Sequence, residues 1–429
     1  MLKRKGPTTR KELFIFFLPA ALVTLVGFFG AYPFVEPSPP RTITIATGEP
    51  EGAYFKYGNL YKPLLKENGI ELKIRATAGA LENLHLLEDK ASGVDISFIQ
   101  GGIGKLSTSK DLISIGSLYY EPLLIFCGPG IRPARITDMK GLRIAVGKEK
   151  SGTKILSTRL LELNGINEKN TQFISKGSKI SADMLLKNEV DIAFFVSSPW
   201  AASITQLLKT KSISLMGLDR AEAYKFWHHY LNIITIPQGT IDFEANIPDR
   251  EIKILAPTAQ LAVRSDLHPA LIDLLLQVAR TVHAKGGGIN KEGEFPSPKY
   301  IDFELSEDAE RFYLERIPFL QRYFPFWVAT FLSRMKIMIL PLLAIIYPLF
   351  KLMPWIYRWR MRARIYRWYA DLAAVGTKMN GNYMDELDEL ERKVANINVP
   401  QPYAQGLFHL RMHIDMLRKK LTETKKPKG

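Results

Sequence analysis

The sequence predicts an α/β fold in which two similar lobes make one domain, flanked by two transmembrane helices and followed by a C-terminal helical hairpin. Three observations predict it. Short β-rich runs alternate with helix-like stretches between residues 41 and 325, the alternation occurs twice in the same order, and uncharged runs with basic flanks stand on either side. Alternation of this kind implies βαβ units and a mostly parallel sheet with helices on its faces.

The chain opens on a basic stretch, 1–12, holding Lys3, Arg4, Lys5, Arg10 and Lys11. From Leu13 to Val35 no residue is charged, which is long enough to span a bilayer. The flank Gly30-Ala31-Tyr32-Pro33 lacks a small-x-small cleavage site, so residues 13–35 read as an uncleaved signal anchor rather than a removed signal peptide. Residues 36–40, Glu-Pro-Ser-Pro-Pro, form a stiff spacer. At the other end Ile337 to Phe350 is uncharged for 14 residues and becomes a span if the helix runs on through 357. Arg358-Trp-Arg-Met-Arg-Ala-Arg364 follows it, as at a cytoplasmic membrane boundary.

The net charge of +15 is concentrated at the ends: +4 over residues 1–13, +3 over 14–350 and +8 over 351–429. Basic blocks beside apolar segments fit cytoplasmic flanks, whereas nucleic-acid binding calls for a basic stripe on a folded domain. Nucleic acid is therefore not an expected partner, and the lipid bilayer is. The expected location is the cytoplasmic membrane, with both termini cytoplasmic and residues 41–325 exported.

Inside that domain Arg41–Thr47 reads as a strand, Tyr54–Glu67 as a helix, Leu72–Ala76 as a strand, Leu81–Lys90 as a helix and Val94–Ile99 as a strand. The order repeats at Leu142–Val146, Ser151–Asn164, Thr171–Ile174, Ile180–Lys187 and Val190–Val196. The expected lobes are 41–127 with 228–325, and 128–227. In such sheets ligands sit beyond the carboxyl ends of the strands, where Gly-containing turns expose amides at helix N-termini. Five turns qualify: Thr47–Tyr54, Ala78–Asn83, Gln100–Gly102, Lys150–Thr153 and Ser197–Pro199.

Each has a plainer reading. Ser151 and Thr153 are also ordinary helix N-caps, and Asn83 and Gln100 also suit local backbone pairing. Asp95 and Asp191 each open a buried strand and read as turn-satisfying residues. No nucleotide loop, G-x-S-x-G, H-E-x-x-H or Cys/His cluster is present, so no catalytic residue, metal ligand or cofactor is expected, and the chain is not expected to be an enzyme. The single Cys127 lies in an apolar run and reads as a small core residue.

The ordered set Ile45-Ala-Thr-Gly48, Gly52-Ala-Tyr54, Ala76-Thr-Ala-Gly79-Ala-Leu-Glu-Asn83, Asp95-Ile-Ser-Phe-Ile-Gln100, Leu118-Tyr-Tyr-Glu-Pro-Leu123, Met139–Val146, Ser151-Gly-Thr153 and Asp191–Val196 with Pro199 resembles the TAXI-type solute receptors of TRAP transporters, over about residues 42–325. The resemblance implies a periplasmic-binding-protein-like domain whose lobes close on a small organic anion, a carboxylate or an amino acid, and deliver it to a TRAP-type permease. It implies ligand-binding roles for Gly52, Tyr54, Asn83 and Gln100 on the first lobe and Ser151, Gly152, Thr153 and Ser198 on the second. Glu49-Pro50-Glu51 departs from the Gly-rich first loop usual in that family. The second membrane segment and basic tail resemble a subgroup tethered at both ends.

Residues 358–429 form the expected cytoplasmic tail, two helices around the breaker Asn398-Val-Pro-Gln-Pro402. A tethered sensor signalling through that tail is the alternative function.

Overall fold

The computed structural model of the chain describes residues 37–315, 323–377, 383–397 and 403–424, with single positions between 22 and 30. It divides into two compact units, Pro37–Leu332 and Met1–Glu36 with Ser333–Gly429.

The larger unit holds two sheets. In the first, β1 (Thr42–Ala46) lies between β2 (Glu71–Arg75) and β3 (Ile96–Gln100), all parallel. Helices α1 (Ala53–Glu67) and α2 (Ala80–Glu88) connect them. The sheet continues through β11 (Ile252–Arg264), antiparallel to β3 and to β4 (Leu112–Tyr120). The second sheet repeats the plan. β6 (Arg143–Ala145) lies between β7 (Gln172–Ile174) and β8 (Ile192–Val196), in parallel, linked by α3 (Gly152–Leu163) and α4 (Ser178–Leu186). β5 (Leu123–Cys127) and β9 (Ser214–Leu215) complete it.

The repeat extends to single side chains. Asp95 Oδ2 accepts from Thr44 N at 2.8 Å and Asp191 Oδ2 accepts from Arg143 N at 2.7 Å, so each aspartate ties the start of its strand to the middle strand of its parallel trio. They are structural, as expected. Arg143 also pairs with Asp191 at 2.8 Å and holds its carboxyl below the usual range.

Both faces of each sheet are covered. On β8, Ile192 and Phe194 enter one core while Ala193 and Phe195 enter another, the signature of a strand buried on both faces. Cys127 is buried in the first of these cores, and burial pushes its thiol up to about 11, which fits a packing role.

Two connections join the lobes and run side by side. β4 passes into β5 through Glu121-Pro122, and Glu121 N donates to Pro257 O at 2.8 Å. β11 serves both lobes. Its residues 252–257 pair with β10 (Leu231–Ile236), and Ile252, Ile254 and Ala256 enter a second-lobe core; residues 259–263 pair with β3. The crossings therefore lie at Glu121-Pro122 and near Pro257, rather than after residues 127 and 227. Strands buried on both faces carry no mark of which sheet they join, which is why the sequence misplaces them.

The second expected span, 337–357, lies within one helix, Phe326–Thr377, of 52 residues. Among the described residues no helix is long and apolar enough to cross a membrane. The uncharged run Ile337–Phe350 is about 21 Å of helix, bounded by Lys336 and Lys351 and short of a hydrocarbon core of about 30 Å. The N-terminus 1–12, nearly all of the first expected span and the breaker 398–402 lie outside the described residues.

In the smaller unit the two expected tail helices, Tyr383–Ala395 and Ala404–Thr424, share a core with residues 365–375 of the long helix. Leu387, Val394, Leu410 and Ile414 are fully or almost fully buried in it. Three helices pack together where two were expected.

Candidate functional site: the cleft between the lobes

Four parallel strands end at this cleft, and each feeds a helix whose N-terminus lines it. The N-caps are Gly52 for α1, Gly79 for α2, Ser151 for α3 and Gly177 for α4. Helix N-termini expose amides without intrahelical partners and carry partial positive charge. Three of the four have no side-chain cap, leaving those donors to the cleft; only Ser151 caps its own helix, its Oγ accepting from Lys154 N at 3.2 Å.

The opening is a cavity of about 130 Å³, enough for a small metabolite. Lobe meets lobe around it. Gly79, at φ +135°, brings its backbone so near that a Cβ there would stand 3.2 Å from Ser151 Cα. A Cβ on Gly152 would collide with the Gln100 side chain. Gln100 itself is 2% exposed, and its Nε2 has no hydrogen-bond partner among the described residues. The loop after β3 is held by Asp302, which accepts from Gly102 N at 2.7 Å and Gly104 N at 3.0 Å.

Charge is distributed unevenly. Glu49 on the first lobe pairs with Lys148 on the second at 2.6 Å, and Lys176 also lines the cleft. Deeper in, Glu121 is buried at the lobe crossing, with Tyr54 Oη donating to its Oε2 at 3.1 Å. Burial pushes the Glu121 carboxyl up to about 8, against the pull of the Tyr54 hydrogen bond. Tyr54 stacks on Phe98 with ring centroids 5.3 Å apart, which fixes the hydroxyl over Glu121. Burial first and the Glu121 charge second hold the Tyr54 hydroxyl protonated.

Of the eight residues expected here, the structure brings together Gly52, Tyr54, Gln100, Ser151, Gly152 and Thr153. Asn83 and Ser198 stand apart. Asn83 is fully buried, its Nδ2 donating to Thr47 O and to Phe98 O at 2.8 Å, while Oδ1 accepts from Thr77 Oγ1 at 2.6 Å. Its polar atoms are spent on the β1 and β3 ends. Ser198 is exposed and accepts from Trp200 N at 3.3 Å, closing a local turn. Glu121, Lys148, Lys176 and Gly177 were not foreseen. Gly177-Ser178 is the counterpart of Gly79-Ala80 in the repeat, a signal the two-pass pattern already contained. Among the described residues no group of His, Cys, Asp or Glu is placed to hold a metal ion.

A model of the NMT1-like family matches residues 45–283, more than half of the chain. The chain belongs to the NMT1-like family. The match contains every cleft residue of this NMT1-like protein, from Gly48 to Val196. It overlaps the stretch that resembles TAXI receptors, but the family shown is the NMT1-like one. Solved structures similar to it include a protein from Bordetella bronchiseptica RB50, at 14% identity over 60% of this chain and 78% of that one, TM-score 0.40. The periplasmic aliphatic sulphonate binding protein of Escherichia coli is similar at 13% identity, 73% and 83% coverage and TM-score 0.36. An ancestral arginine-binding protein bound to arginine is similar at 11% identity, 57% and 93% coverage and TM-score 0.37. Likenesses this distant carry no information about the ligand.

Proposed function

We propose that this NMT1-like chain is a solute receptor that captures a small organic anion between its lobes and hands it to a separate permease of the TRAP type. The observation that carries the reading is the convergence of four helix N-termini, three of them without a side-chain cap, on one cleft that also holds the unpartnered Gln100 Nε2. Amides so placed hold a carboxylate without an arginine. Gly52, Tyr54, Gln100, Ser151, Gly152 and Thr153 are the proposed contacts. The two adjacent connections at Glu121-Pro122 and Pro257 supply a hinge about which the lobes close.

Attachment to the inner membrane, with the receptor unit outside the cytoplasm and both termini within it, is the finer part of the proposal. Its support is the uncharged run 13–35 and the aromatic and basic residues after 357. Alkaline carbonate extraction, with reporter fusions after residue 429, tests it: release into the soluble fraction would overturn the attachment.

The receptor reading is tested by melting the full-length protein against small carboxylates and amino acids. A ligand that binds the folded state at a hundred times its Kd adds about 2.7 kcal/mol, a readily measured rise in Tm. A panel that leaves Tm unchanged throughout would sink it. One observation favours a second reading, a sensor: the tail helices have a core of their own. Solute uptake that survives removal of residues 383–429 would count against it.

A further inference from the structure

We infer that Glu121 recognises a cationic amino group on the ligand, so that the cleft takes α-amino acids in preference to carboxylates without one. This rests on the receptor reading above and assigns the second half of the ligand.

The cleft is rich in donors and poor in acceptors. The helix N-termini and Gln100 Nε2 offer hydrogens, which suit a carboxylate. Of the two acids that line it, Glu49 is already paired with Lys148. Glu121 is the other, and it is buried. Its Oε2 accepts from Tyr54, and its Oε1 has no partner among the described residues. An acid with one oxygen engaged and one uncommitted is a site for a donor brought by the ligand.

Charge selects which donor. The groups facing Glu121 are the hydroxyls of Tyr54 and Tyr119, neither of them a cation, while Lys148 is held by Glu49 and Lys176 lines the cleft from the loop before α4 of the other lobe. A buried carboxylate without a countercharge is costly, so in the absence of ligand the acid keeps its proton, in line with its pKa of about 8. An ammonium brings the missing countercharge: Glu121 gives its proton to solvent, and the carboxylate accepts from the amino group. A ligand with a carboxylate alone leaves the acid protonated and unpaired on Oε1.

The test is calorimetry on the full-length protein with matched pairs: alanine and propionate, leucine and 4-methylpentanoate, glutamate and glutarate, phenylalanine and 3-phenylpropionate. The expected result is that at least one amino acid binds on the order of tenfold to a hundredfold tighter than its partner. Glu121→Gln, which keeps an acceptor for Tyr54, should bring that ratio near one. A second measurement needs no variant: titration at pH 7 in buffers of different ionisation enthalpy should show about one proton released per amino acid bound and none for its partner. Equal or tighter binding of the des-amino acids, a preference that survives Glu121→Gln, or no proton release would each overturn the inference while leaving the receptor reading in place. Binding of neither class would overturn both.

Discussion

Replacing Asn83 by alanine would leave the Phe98 carbonyl without its side-chain donor and the Thr47 carbonyl with that of Thr77 alone. Unpaired buried groups cost about 1–3 kcal/mol, so urea unfolding should show Asn83→Ala destabilised by about 2 kcal/mol or more, with ligand affinity of the folded protein unchanged. A loss of affinity without loss of stability would restore Asn83 to the ligand site. His283 bears on pH. It sits among Tyr57, Tyr61 and Tyr119, 2.9 Å from the Tyr61 hydroxyl, and burial depresses it to about 3 from 6.5. The folded state thus favours the neutral ring, and its contribution is complete above pH 6.5 and lost as pH falls toward 3, at about 1.4 kcal/mol per unit. Glu121 has the opposite sense, losing its contribution as pH rises from 4.5 to 8. The His283 part is isolated by comparison: wild type minus His283→Gln should fall steadily from pH 6.5 to 4 in urea unfolding, and a flat difference would show that the ring is not buried neutral.

At the scale of elements, the contact between the first turn of α3 and the end of β3 sets how near the lobes come. Gly152→Ala drives a methyl group into the confined Gln100 side chain. Overpacking of this kind costs about 1–3 kcal/mol, here in the closed arrangement alone, so affinity should drop by roughly tenfold while the ligand-free Tm changes little. Isothermal titration with any ligand that raises Tm checks it. The same elements show what the sequence disclosed. The four turns were legible because strand, glycine turn and helix recur in fixed order at Gly52, Gly79, Ser151 and Gly177, with only the last passed over. Glu121 was hidden because an acid beside a proline reads as a turn. That Ser198 stands outside the cleft lining was not legible, because a Ser-Ser-Pro turn after a strand has the same composition whether it faces a ligand or water.

For the whole molecule, the Lys148–Glu49 pair is the contact to probe. Each side chain is more than a third exposed, so the pair adds at most about 1 kcal/mol to stability. It nonetheless ties one lobe to the other. Lys148→Gln should leave the urea midpoint nearly unchanged while small-angle scattering gives a larger radius of gyration without ligand, restored when ligand is added. An unchanged radius would mean that the loop packing alone holds the lobes. The paired lobes themselves were legible, since the pattern repeats over a hundred residues, whereas the crossings were not, because the 13-residue strand β11 is buried along nearly its whole length and passes from one lobe's core to the other's without a break.

That shared strand has a consequence for biosynthesis. The second sheet is built from residues 123–215, a continuous piece, and β5 to β9 can assemble as soon as they leave the ribosome. The first sheet cannot, because β11 lies between β3 and β4 and is made last of all. Until residue 264 emerges, β3 and β4 present unpaired edges to whatever is near, the condition under which strands join the wrong neighbour. The inserted lobe therefore has the first opportunity to fold, and the outer lobe spends its synthesis in need of protection.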